Sequence, residues 1–316
     1  MELSTDLAES IIIQDKERDW IQLPIELLTA ILSRLSFENI ARFRSVCKIW
    51  QFFPTPIPHQ CPNNRSHWLM FNKQSTSTYH FANPSYKENY ISDLPELSDA
   101  LLRYSKDGWL LMSRGYYSIF FFNPFTKEEI DLPDIPEKWT YLKIKTDLDF
   151  EPSNCNPVFY NGVFYCLARD GKLGIFDPNR KILWRVLHQP QPPFIDMVDE
   201  SYLVECEGQL LSVFLDNHGK MVSLYRLDKL QTSWKTVKNL GDKMLFLSHC
   251  SSFAVKNDDG MENKIYFPRF DEGGNGIMFY CLKTRMFQTF GRKFSSKNLY
   301  GIEKKLHCCW ITPSFE

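Results

Sequence analysis

The sequence predicts a mainly β chain: three short N-terminal helices followed by a β-propeller-like domain of about five blades, one of them a candidate for an incomplete sheet. Three observations carry this reading. Aromatic residues make up 15% of the chain, and rings suit the pleated, half-buried surface of a strand. A strand–turn–strand unit recurs through residues 79–290. Only the stretch around residues 20–53 shows helical spacing of its apolar side chains. Hydrophobic residues at 43% and charged residues at 24% are ordinary globular values, and a length of 316 residues allows two or three domains.

Residues 1–19 form an acidic tail, with Glu2, Asp6, Glu9, Asp15, Glu17 and Asp19 against Lys16 and Arg18. Such a segment has neither the basic start and apolar stretch of a secretory signal nor the arginine-rich character of a transit peptide. No apolar run approaches the roughly 18 residues of a membrane span. The nine cysteines are scattered without a Cys-x-x-Cys pair, as free thiols in a reducing compartment would be. A net charge of −1 gives the whole chain no footprint for nucleic acid or anionic lipid. The expected location is therefore the cytoplasm, the nucleus or both.

From Trp20 to Phe53 the pattern is helical. Pro24 suits a first helical turn, because its missing N–H would be unpaired there anyway. Leu27, Leu28, Ile31, Leu32 and Leu35 form an apolar stripe, Ser36 is an N-cap candidate for a second helix with Ile40, Phe43 and Val46, and a short third helix carries Cys47 and Trp50. Three short helices in about 35 residues cannot enclose their own apolar surface without a disulfide, a metal or a partner. Periodicity leaves open whether that partner is another protein or the rest of the chain.

Leu23-Pro24, Glu26-Leu27-Leu28, Ile31-Leu32, Arg34-Leu35, Arg42, Val46-Cys47-Lys48 and Trp50 resemble the F-box motif in order and spacing. The resemblance implies an F-box over residues 20–55 that docks on a Skp-type adaptor and so joins a cullin–RING ubiquitin ligase. The family's contacts map here onto Trp20, Leu23, Pro24, Ile25, Leu28, Ile31, Leu32, Leu35, Val46, Cys47 and Trp50.

Four prolines (Pro54, Pro56, Pro58, Pro62) make residues 56–66 a stiff, extended linker. Residues 67–316 follow as the propeller-like domain. Its repeat is an apolar strand, a turn and a second strand, with turns at Asn83, Asn123, Asp177, Asp228 and Leu282 at intervals of 40, 54, 51 and 54 residues. Asn123-Pro124 and Asp177-Pro178 are good turn chemistry. Upstream of these, Asp107-Gly108, Arg114-Gly115, Asn161-Gly162, Asp170-Gly171, Glu207-Gly208, His218-Gly219 and Asp259-Gly260 are hairpin signals. Three turns per unit mean four strands per unit, the signature of propeller blades. A β-sandwich or two small barrels is the alternative. Residues 133–156 offer only Trp139–Ile144 as a strand candidate, which leaves ring closure open, and residues 306–315 are placed to pair with the first blade and cover its edge.

PVFYNGVFYCLARDGKLGIFDP, YLVECEGQLLSVFL, LGDKMLFLS, NKIYFPRF and WITPSF resemble plant F-box proteins with a kelch-related C-terminal domain of unknown function. This resemblance implies an interaction role and no chemistry. The residues agree: no HExxH, GxSxG or P-loop spacing occurs. His307-Cys308-Cys309 cannot converge on one ion from a strand, since neighbours point to opposite faces. Gly273-Gly274-Asn275-Gly276 reads as a hairpin tip, and Asp196, Asp199, Glu200, Asp258 and Asp259 as solvated loop charges. Trp109, Trp184 and Trp234 are read as packing between blades. No cofactor and no metal are expected, and no nucleic-acid or membrane partner. The reading is a non-catalytic, substrate-recognition subunit whose target protein binds inter-strand loops, the candidates being Arg114, Tyr116, Arg169, Lys172, His218, Lys220 and Arg269. A small-molecule sensor and a propeller-fold enzyme are the alternatives.

Overall fold

The computed structural model describes residues 23–32, 43, 46–51, 67–72, 77–84, 89–136, 150–179, 184–187, 198–216, 221–228, 233–256, 261–270, 276–289, 292–293 and 308–314. The chain divides into two compact units, Met1–Asn64 and Arg65–Glu316.

In the first unit, α1 (Ile25–Leu32) starts where Pro24 ends an extended residue pair, and the Pro24 carbonyl accepts the Leu27 and Leu28 N–H groups at 3.0 and 3.1 Å. A second short helix, α2, spans Lys48–Gln51. Leu28, Phe43 and Trp50 form a small core, with Phe43 and Trp50 stacked at 4.4 Å, and Leu23, Ile31 and Cys47 packed against it. The anticipated Trp20, Leu35 and Ser36, and the proline-rich linker, lie outside the described residues.

The second unit is built from five sheets. Blade 1 contains β1 (Trp68–Asn72), β2 (Thr78–Ala82) and β3 (Asn89–Asp93); blade 2 contains β4 (Ala100–Lys106), β5 (Trp109–Arg114), β6 (Ser118–Asn123) and β7 (Glu128–Asp131). Blade 3 contains β8 (Val158–Tyr160), β9 (Val163–Leu167), β10 (Leu173–Phe176) and β11 (Trp184–Leu187). Blade 4 contains β12 (Val198–Cys206), β13 (Gln209–Asp216), β14 (Val222–Asp228) and β15 (Ser233–Thr236). Blade 5 contains β16 (Lys243–Phe246), β17 (Phe253–Lys256), β18 (Lys264–Phe270), β19 (Ile277–Cys281), β20 (Met286–Thr289) and β21 (Arg292–Lys293). The last strand, β22 (Cys308–Ile311), returns to pair antiparallel with β1, so blade 1 has the order β22-β1-β2-β3.

Blade 3 is a complete four-stranded sheet, so the incomplete blade expected between residues 133 and 161 is corrected for the sheet itself. Its four strands all follow residue 157, and Trp139–Ile144 lies outside the described residues. Blade 5 departs from the simple repeat in the other direction. Its order is β17-β16-β18-β19-β20-β21, and β16 pairs parallel with β18. The expected hairpin at Asp259-Gly260 is corrected accordingly: the flanking strands β17 and β18 both pair with β16 instead of with each other.

Turn chemistry places the strands. Asp107-Gly108, Asn161-Gly162 and Glu207-Gly208 all adopt positive φ at both positions, the conformation whose twist matches that of two-residue hairpins. At Gly108 a side chain is also excluded by space, because an added Cβ would stand 2.3 Å from Ser314 Cβ. Asn123 Oδ1 accepts the Phe125 N–H at 3.0 Å and Asp177 Oδ1 the Asn179 N–H at 3.0 Å, closing the third-to-fourth-strand turns of blades 2 and 3.

Apolar cores lie between neighbouring blades. Leu110, Met112, Phe120 and Phe122 pack with Trp68, Met70 and Phe81 between blades 1 and 2; Phe246, Tyr266 and Phe279 pack with Leu69, Phe71 and Trp310 between blades 5 and 1. Similar clusters join blades 3 and 4 and blades 4 and 5. Among the described residues no such cluster joins blades 2 and 3. Instead Tyr104, Leu111, Phe121 and Ile130 line up across one face of blade 2, and Phe159, Phe164, Phe176 and Trp184 across one face of blade 3. Phe121, Ile130 and Phe159 remain exposed there. Asn156, just ahead of blade 3, donates Nδ2 to the Arg103 carbonyl of blade 2 at 2.7 Å and to the Cys250 carbonyl of blade 5 at 2.8 Å.

Candidate functional site

The helical unit separates the apolar residues of its motif into two groups. Leu28 and Trp50 are 2% and 8% exposed and hold the unit together. Ile25, Leu27, Val46 and Ile49 are 67%, 51%, 57% and 56% exposed. All four large aliphatic side chains thus face solvent on a small body. Leu23, Ile31 and Cys47 are half-buried against the core, Pro24 is exposed, and Leu32 closes α1. Ile49 is an addition that the motif did not nominate; its signal was an aliphatic residue between Lys48 and Trp50, where an inward Trp turns its neighbour outward.

In the propeller, the interior edge is stitched by polar groups. Trp310 Nε1 donates to the Leu247 carbonyl at 2.8 Å, and Ser105 Oγ and Ser251 Oγ each donate to the Trp310 carbonyl at 3.1 Å. Across blades 4 and 5, Arg269 Nη2 donates to Glu200 Oε1 at 2.8 Å, and the Tyr202 hydroxyl donates to Glu200 Oε2 at 2.6 Å. Burial pushes the Glu200 carboxyl up, but the Arg269 charge and the Tyr202 and Arg269 hydrogen bonds outweigh it and hold the group below its ordinary range. Burial, then the Glu200 charge, push the Tyr202 hydroxyl well up. Glu200 is therefore a paired strand residue; the loop acid anticipated at this position is corrected by β12, which contains it.

The loop residues nominated for target binding have different situations. The Arg114 guanidinium is bidentate on Glu129 at 2.8 and 3.0 Å, donates to the Glu96 carbonyl at 2.7 Å and lies 3.9 Å over the Phe120 ring, so it staples blade 2. Arg269 stands in β18, committed to Glu200, so its placement on a loop tip is corrected. Lys172 pairs with Asp170 at 2.8 Å and Arg169 with Glu151 at 3.3 Å, the latter pair well exposed. Tyr116 is 86% exposed. His218 and Lys220 lie outside the described residues.

Tyr116 also stands at a cavity of about 590 Å³ between blades 1 and 2, lined among others by Asn72, Tyr79, Asp99 and Arg103. The structure thus brings Tyr116 together with Arg103, which the sequence reading passed over inside an apparently regular strand. Of the thiols, Cys308 packs toward blade 5 and Cys309 toward blade 2, on opposite faces of β22. Burial pushes Cys308 up to about 12, so neither chemistry nor metal binding is favoured there. Among the described residues no group of three metal-ligating side chains converges, and no helix is long and apolar enough to cross a membrane.

Comparison with known proteins bears on both units. A profile of the F-box domain matches residues 20–53, and a profile described as the KIB1-4 beta-propeller matches residues 136–281. An F-box protein of Arabidopsis thaliana is 30% identical over 76% of this chain and 75% of its own length. The chain belongs to the plant F-box proteins with a KIB1-4 β-propeller. An F-box/kelch-repeat protein of the same plant is 29% identical over 89% of this chain and 94% of its own length, and a further F-box protein is 31% identical over 78% and 60%. The F-box match covers α1 and α2, and the propeller match covers blades 3 and 4 and most of blade 5.

Proposed function

We propose that the protein is the substrate-recognition subunit of an SCF-type cullin–RING ubiquitin ligase. Its F-box binds a Skp-type adaptor and its propeller binds a target protein. The observation that carries this reading is the solvent-facing set Ile25, Leu27, Val46 and Ile49 on an F-box whose own core is already filled by Leu28, Phe43 and Trp50. Such a surface gains stability only when another apolar surface covers it. The chain contributes no catalytic group of its own. It acts by holding the target near a ubiquitin-charged enzyme, which raises effective concentration. The place of action is the cytoplasm, the nucleus or both.

The test is a pull-down of a Skp-type adaptor by Ile25→Asp and Val46→Asp variants. Each places an uncompensated charge in the proposed interface, at a cost of several kcal/mol, while leaving the F-box core untouched. Capture should fall at least tenfold with an unchanged circular dichroism spectrum. Full adaptor capture by the double variant would refute the proposal. Leu28→Asp is unsuitable as a test, because Leu28 is 2% exposed and its loss would unfold the F-box itself.

A further inference from the structure

We infer that the cavity between blades 1 and 2 is a binding site for a small, largely apolar carboxylic acid, with Arg103 holding the carboxylate. At about 590 Å³ the cavity is in the size range of small-molecule sites. Its apolar lining comes from Met70, Leu97, Leu110 and Met112, none more than 2% exposed. These side chains belong to the core between the two blades and cannot move aside without disturbing it.

Arg103 is the cationic residue of the lining. Its Nε donates to Ser113 Oγ at 2.8 Å, and no carboxylate pairs with it among the described residues. A β-irregularity between Leu102 and Tyr104 takes this residue out of the strand's alternation. Its backbone is fixed from the other side, where the Arg103 carbonyl accepts from Asn156 Nδ2 at 2.7 Å. A guanidinium pinned through Nε keeps its terminal nitrogens available for a planar, bidentate anion. Arg114 and Arg169, by contrast, are engaged with Glu129 and Glu151. The acidic lining residue, Asp99, sits in an exposed turn, so it disfavours a second anionic group at the mouth and selects for a monoacid. Tyr116, an 86% exposed residue whose ring lies 6.4 Å from that of Tyr117, stands at the lining where it can flank an apolar body.

The test uses the full chain in complex with its adaptor and a panel of monocarboxylates of six to twelve carbons, with 4-phenylbutyrate as the first probe and its primary amide as the uncharged control. Calorimetry should show the acid binding and the amide at least tenfold weaker. Arg103→Gln should lose the discrimination between acid and amide, Arg103→Lys should keep part of it, and Met112→Trp should fill the cavity and abolish binding of both. Adaptor capture should be the same in all of these, which separates this proposal from the ligase reading. Failure of every acid in the panel to bind, equal affinity for acid and amide, or full acid binding by Arg103→Gln would overturn it. So would binding only of a blocked peptide carrying a single glutamate, since the site would then read a protein chain.

Discussion

Replacing Trp310 by alanine is the sharpest way to weigh what closes the ring. Trp310 is fully buried in β22, packs edge-on against Phe246 at 4.9 Å and Tyr266 at 6.3 Å, and donates Nε1–H to the Leu247 carbonyl. Removing a buried tryptophan side chain costs about 3–5 kcal/mol in transfer and cavity terms. The Leu247 carbonyl loses this donor, which adds about 1–3 kcal/mol. The expected loss is thus about 4–8 kcal/mol, a large share of the roughly 5–15 kcal/mol that a domain commands. Trp310→Phe keeps most of the packing and removes the N–H, so it should cost about 1–3 kcal/mol. Guanidinium unfolding followed by far-UV circular dichroism reads both. With a slope of about 4 kcal/mol/M, the alanine variant's midpoint should fall by roughly 1 M or more. A fall below about 0.3 M would show that β22 contributes little and that the blades hold without it, whereas a phenylalanine variant as weak as the alanine one would assign the loss to the N–H and refute the packing share.

Gly174→Ala should destabilise the propeller by about 1–3 kcal/mol, because the added Cβ would stand 2.3 Å from Trp184 Cη2 and 3.0 Å from Phe150 Cζ; thermal unfolding checks it, and a neutral result would mean that these rings move freely. Glu200 gives a pH dependence. Its carboxyl lies below the ordinary value near 4.5, so the folded state binds its proton more weakly than the unfolded one. Its stabilisation is complete above that ordinary value and is lost as pH falls through the lower folded value. Arg269→Leu removes the main opposing charge and leaves burial dominant, which lifts the folded value above the unfolded one. The variant should therefore be weakest near pH 7, and urea midpoints measured from pH 3 to 7 should converge on those of the unaltered chain as pH falls, because this group's acid-side loss is gone; an undiminished acid-side loss would refute the role of Arg269.

Much of the propeller was legible because its turns are local. Asn83, Asn123, Asp177 and Asp228 mark the connection between the third and fourth strands of a blade and Leu282 the turn from β19 to β20 in blade 5, so their spacing reports the blade repeat directly. The alternation of β22 also let Cys308 and Cys309 be assigned to opposite faces. What the pattern concealed is non-local or irregular. The parallel pairing of β16 with β18 depends on neighbours that no short-range signal encodes. Arg103 and Glu200 each lie beside a register shift, where period-two reasoning fails, so one was overlooked and the other taken for a loop acid. In the F-box, the motif names residues by type, and inward and outward aliphatics are of the same type; only packing tells Leu28 from Ile25.

The pairing of β1 with β22 also has a consequence for biosynthesis. His67 and Thr312, which flank these two strands and meet at 2.8 Å, are 245 residues apart in the chain. At about 5–20 residues per second, a ribosome needs on the order of 12–50 seconds to deliver the second partner after the first. Through that interval the Trp68–Asn72 backbone presents an open hydrogen-bonding edge, the kind of edge that recruits foreign strands. A chain that ends between β1 and β22 never leaves this state, and such products should be held by chaperones and cleared instead of accumulating.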